Sequence, residues 1–118
     1  MKSFVISLLA FALVIGAIAA SSIYIRGVAR ELGDMVENFT PTDKEGFSKA
    51  MDFWEKNERI ICIFVSHKDI DNVNLAFGVL EEKINNDDGG GFYEYRALLQ
   101  KYIEEIGNKE RLHIDNII

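Results

Sequence analysis

The sequence predicts an all-α protein in which an N-terminal transmembrane helix continues into a small antiparallel bundle of about four helices. Three observations carry that prediction. Residues 4–25 hold no charged side chain, apolar residues recur at three-four spacing in the later segments, and the chain contains a single proline. The connections between periodic segments are short, so successive helices must run in opposite directions.

Residues 4–25 can cross a bilayer once, because a helix of that length reaches about 33 Å at 1.5 Å per residue, close to the hydrocarbon thickness. The segment also resembles a secretory signal, with Lys2 as its basic start, Phe4 to Gly16 as its apolar stretch and Ala17-Ile18-Ala19 as a cleavage site. Cleavage near Ala19 would release a secreted helical protein. Against it, Ile23, Tyr24 and Ile25 carry the apolar run to full spanning length, and Tyr24 falls where an interfacial aromatic belongs. Ile25, Val28, Leu32, Met35 with Val36, and Phe39 then continue at helical spacing. The sequence thus predicts one rod, residues 1–25 an anchor or uncleaved signal-anchor and the following residues packed on protein. Gly27 and Gly33 permit a bend near the membrane surface. A very short basic tail ahead of an apolar run enters the secretion machinery as a signal does. That predicts a single-pass protein of the cell membrane with its domain on the extracytoplasmic side, although the charges flanking the segment are nearly balanced.

Residues 26–118 form the predicted domain. Of the 13 Lys and Arg only Lys2 precedes it, leaving 12 against 19 acidic residues and a net charge of −7. Nucleic acid is a poor partner for such a surface, since phosphate binding requires a basic face. The same balance disfavours adsorption of the whole domain on anionic lipid. Cys62 has no second cysteine to pair with.

Helices are predicted over about 26–39, 43–66, 69–86 and 92–107, with a short C-terminal turn at 110–117. Thr42 and Glu45 have the spacing of a capping box opening the second helix. Phe47, Met51, Trp54, Ile61 and Val65 share one of its faces, and "IICIFV", Ile60 to Val65, is apolar on every side, which predicts a helix end enclosed by neighbours at the centre of the core. Ile70, Val73, Phe77, Leu80 and Ile84 make an unbroken stripe on the third helix, with Asp69 as its N-cap. "NNDDGGG", Asn85 to Gly91, predicts a mobile tip. Phe92, Tyr95, Leu99, Tyr102 and Ile106 face the core from the fourth helix, and Gly107 with Asn108 predicts its C-cap. Leu112, Ile114, Ile117 and Ile118 would fold back on the bundle.

No pattern in the chain points to a reaction, and no catalytic, cofactor-binding or metal-binding residue is assigned. Asp69, Asp71 and Asn74 echo a calcium loop, but Val73 holds a ligand position and Leu80 the place of the bidentate glutamate. Asp87 and Asp88 lack a third clustered carboxylate, and Cys62, His67 and His113 would need further ligands to hold zinc. No hydrolase elbow, phosphate loop or HExxH appears. Glu81, Glu82, Glu104 and Glu105 alternate with Lys83 and Lys101 as on solvated helix faces.

The apolar N-terminus, the Trp54 helix, "HKDIDNVNLAFGVLEEKI" from His67 to Ile84 and the ending "GNKERLHIDNII" together resemble an uncharacterised family of small, singly membrane-anchored helical proteins from spore-forming Gram-positive bacteria. The resemblance spans nearly the whole chain and rests on pattern, without a catalytic signature. It implies company with a multispanning membrane protein. "INNDDGGGFYEY" departs from the family's more charged, helix-prone connection, which leaves the start of the fourth helix open. The expectation for function is a non-enzymatic interaction module held at the bilayer by residues 4–25 and accessory to an integral membrane protein. The alternative is a sensor or binder of a small apolar ligand among the aromatic residues.

Overall fold

The computed structural model describes residues 2–86 and 88–117, with side chains through Glu110. Among them, four helices follow in chain order, α1 (Lys2–Glu37), α2 (Lys44–Phe64), α3 (His67–Asn85) and α4 (Phe92–Ile117). They form a rod with extents of 68 × 22 × 21 Å. Each helix packs against two others around a square, and the α1–α4 seam is the most extensive. The ends are fixed by ring contacts and side-chain bonds. Phe39 meets Phe47 at 5.4 Å between ring centroids while Tyr24 bonds Asn57, so α2 descends as α1 rises. Arg96 meets the top of α1 and Glu110 meets Ser22, so α4 descends along α1 from Glu37 to Ser22.

α1 is uninterrupted from the apolar segment into the bundle. Its buried stripe is Ser22, Ile25, Val28, Leu32 and Val36, with Phe39 just past its end, so full burial begins at Ser22, with Ile15, Ala19 and Ser21 partly covered before it. The other helices contribute Phe47, Ala50, Trp54 and Ile61 from α2, Ile70, Val73, Ala76, Phe77, Leu80 and Ile84 from α3, and Phe92, Leu99, Ile103 and Ile106 from α4. A fully buried leucine such as Leu32, Leu80 or Leu99 stabilises the fold by about 1.5–3 kcal/mol relative to an exposed one. α1 has no basic residue in its last turn. Arg96 supplies the missing charge from α4, donating Nη1 to the carbonyl oxygens of Glu37 at 3.2 Å and Phe39 at 3.1 Å.

Four local expectations are corrected. The N-cap of α2 is Asp43, whose carboxylate accepts from the Gly46 amide at 2.9 Å, so Thr42 lies one residue too early for a capping box and Glu45 pairs with Lys49 instead. The N-cap of α3 is Ser66, whose hydroxyl accepts from the Asp69 amide at 3.3 Å; Asp69 itself lies in the first turn. α4 does not stop at Gly107 but runs to Ile117, absorbing the separate turn at 110–117. Gly107 stays helical on the side facing α1, where a Cβ would stand 3.5 Å from that of Ala29, an ordinary contact. Positive φ occurs at Gly91, 74°, directly ahead of α4.

The fourth correction concerns "IICIFV". Ile61 is buried, but Ile60 and Phe64 are each 48% exposed and Ile63 is 73% exposed. A helix on one edge of a square can bury only the faces turned toward its two neighbours, and an all-round apolar turn there leaves the rest in the open.

The Gly-rich connection is held by Lys83, which donates to the Gly90 carbonyl at 2.5 Å, pairs with Asp88 at 3.6 Å and lies over the Tyr95 ring at 5.7 Å. Asp87 and Ile118, and the side chains of Leu112, His113, Ile114 and Ile117, lie outside the described residues and side chains.

Candidate functional site

The surface that distinguishes this molecule is the free half of α1 together with the end of the bundle from which it emerges. An apolar window of α1 is long enough to cross a membrane and no part of it is buried. Phe4, Ile6, Leu8, Leu9, Phe11 and Leu13 are all exposed there. A stripe of this kind cannot be a soluble core helix, whose apolar residues are covered by neighbours.

Where α1 enters the bundle, polar side chains from three helices close around it. The Ser22 hydroxyl donates to Glu110 Oε2 at 2.9 Å, joining α1 to α4 through two buried side chains. Tyr24 donates its phenol to Asn57 Oδ1, and Asn57 Nδ2 donates to the Phe53 carbonyl at 2.7 Å. Across the same end, Lys109 Nζ donates to both oxygens of Asp69, at 2.9 and 2.8 Å, tying α4 to the first turn of α3. The hydrogen bond to Asp69 is the main reason that the Lys109 ammonium titrates above the ordinary lysine value; burial opposes it, and the charges of Asp69 and Glu105 add to it. These bonds tie α1 to α2 and α4, and α4 to α3, at the end where the apolar half of α1 emerges.

Three of the residues weighed as metal ligands, Asp69, Asn74 and Cys62, have structural partners. Asp69 is held by Lys109. Asn74 accepts from Trp54 Nε1 at 2.7 Å and donates to Glu58 Oε1 at 2.9 Å, while Asp71 is exposed. The Cys62 thiol donates to the Arg59 carbonyl at 3.1 Å, and His67 opens α3 on the exposed side. No group of three His, Cys, Asp or Glu placed to hold a metal ion occurs among the described residues.

The aromatic residues that could have lined a ligand cavity pack on one another, Phe39 on Phe47 and Phe47 on Phe77 at 5.9 Å. Two shallow grooves on the outer faces are lined by charged residues, one by Asp52, Glu55, Lys56 and Arg59, the other by Arg26, Ala29, Arg30, Glu104, Gly107 and Asn108.

Ser22, Asn57 and Glu110 carry no motif, yet one signal was available. Each is a polar residue three or four positions from a core residue, Ser22 from Ile25, Asn57 from Trp54 and Glu110 from Ile106, and therefore stands on a buried face. Their pairing is a tertiary fact that spacing along one helix does not contain.

A family model described as a domain of unknown function, DUF4363, matches residues 36–117. The chain belongs to the DUF4363 family. The match takes in the last two residues of α1 and all of α2, α3 and α4, so the rest of α1, its apolar length and most of its core stripe alike, lies outside it. No curated protein and no solved structure matches the chain.

Proposed function

We propose that this DUF4363 protein is a non-enzymatic interaction module held on the cell membrane by α1 as a single uncleaved span, with its bundle on the extracytoplasmic side, accessory to an integral membrane protein. The supporting observation is the continuity of α1. The same helix presents an uncovered apolar surface along one half and the core stripe Ile25, Val28, Leu32 and Val36 along the other. Anchoring confines the bundle to two dimensions and raises its effective concentration toward any partner in the same membrane. The polar residues near the anchor are engaged in helix-to-helix bonds, which suits a rigid module more than a reaction centre.

Mass spectrometry of the protein extracted from membranes tests the anchor, since an intact N-terminus is expected and a chain starting at Ala20 would make the protein a released one. Because every buried residue of α1 lies at or after Ser22, a cleaved chain would keep its core, and only the mature N-terminus decides between the two. Protease added to intact host cells should degrade the bundle; protection would reverse the sidedness. Co-purification in mild detergent with one integral membrane protein is the expected outcome for the accessory role, and recovery of the full chain alone from native membranes counts against it.

A further inference from the structure

Resting on the reading of α1 as a membrane span, we propose that the C-terminal turn of α2 is a second membrane contact, in which Ile60, Ile63 and Phe64 enter the lipid interface beside the anchor. The positions follow from the packing. Tyr24 near the end of the apolar run bonds Asn57, and α2 continues past Asn57 toward the free half of α1. Ile60 to Phe64 lie three to seven residues beyond it, which at about 1.5 Å per residue is roughly 4–10 Å further along the rod. Antiparallel pairing sets them beside residues 17–21 of α1, inside the uncharged segment.

The chemistry agrees with lipid as the occupant. Ile60, Ile63 and Phe64 share one face by their spacing of three and four, and all three are exposed while Ile61 between them is buried. Exposed basic residues, Arg59 just before the patch and Lys68 just after the α2–α3 turn, flank it. Apolar side chains bordered by long cations are the composition of an interfacial segment, in which the stems lie along the acyl boundary and the charges reach the headgroups. The domain is acidic as a whole, and Arg59 and Lys68 place an exposed cation on either side of the patch, at the end where α1 leaves the bundle. A rod held at one point pivots; a second contact on the α2 side restricts its tilt and presents the distal Phe39–Phe47 end at a fixed height.

The full chain in vesicles of zwitterionic lipid with an anionic fraction tests this by nitroxide accessibility. Cys62→Ser frees the background, and single cysteines at Leu9→Cys, Ile63→Cys and Leu75→Cys carry the label. All three native side chains are exposed, so none of the variants opens the core. Labels at 9 and 63 should collide with oxygen several-fold more, relative to a water-soluble nickel chelate, than the label at 75, which is 66% exposed on α3 as leucine. A lipid-embedded label at 9 with a label at 63 as wet as that at 75 overturns the second contact and leaves the anchor standing. A wet label at 9 overturns the anchor itself. Protection at 63 that appears only at high protein density, with spin–spin broadening, assigns the patch to a second copy and likewise overturns lipid as its occupant.

Discussion

Asp43 and Gly46 show how narrowly a helix start is set. The Asp43 carboxylate accepts from the Gly46 amide, and a Cβ added at Gly46 would collide with that carboxylate. Gly46→Ala is therefore expected to cost about 1 kcal/mol through the lost cap, although alanine is the better helix former. In an Asp43→Ala background the same substitution should become neutral or stabilising, because nothing remains to be displaced. Urea unfolding of the two single variants and the double variant measures the coupling, and simple additivity would disprove it. Lys109 gives a second residue-scale expectation. Its pKa is raised in the folded state by the bond to Asp69, so its contribution is fully present below the unfolded lysine value and vanishes as pH climbs through the higher folded one. Stability should thus show an alkaline decline that Lys109→Met removes, while the variant is already weaker at neutral pH. The half-exposed ammonium keeps the effect small through solvent screening.

At the scale of single helices, the stripes were legible wherever apolar spacing alone chose the buried face. The third helix is the clearest case: Ile70, Val73, Phe77, Leu80 and Ile84 are all buried as spaced. Boundaries were less legible, because caps compete locally. Thr42, Asp43 and Asp69 are all capping residues by type, and the bundle selected Asp43 and Ser66 by where each chain reversal had to fit. Gly107 failed as an end signal because one glycine lowers helix propensity without ending a helix whose apolar stripe continues to pack. Gly107→Ala should therefore stabilise α4 by up to about 1 kcal/mol, because the position is helical and the new methyl makes only ordinary contact with Ala29. A left-handed cap would give the opposite sign, so the direction of the change in thermal midpoint discriminates the two. "IICIFV" misled because its composition reports how apolar a turn is and not how many neighbours surround it.

The whole molecule divides at the point where α1 becomes covered. Since burial starts at Ser22, a chain lacking residues 1–20 is expected to stay helical, to unfold cooperatively and to remain in solution. Circular dichroism of the shortened chain checks this, and loss of the cooperative transition would show that the apolar half of α1 contributes to the fold itself. The fold class was decided by the sequence: an uncharged segment of spanning length, helical spacing and short connections leave an antiparallel all-α bundle as the simplest way to bury the stripes. The tertiary structure alone decided which polar residues meet, Ser22 with Glu110, Tyr24 with Asn57, Asp69 with Lys109, and Arg96 with the end of α1. It also decided that Ile60, Ile63 and Phe64 face outward at the end where the rod emerges. The physical reason is that periodicity fixes a face along one helix, whereas a partner across the bundle depends on the relative height and rotation of two helices, which only their packing sets.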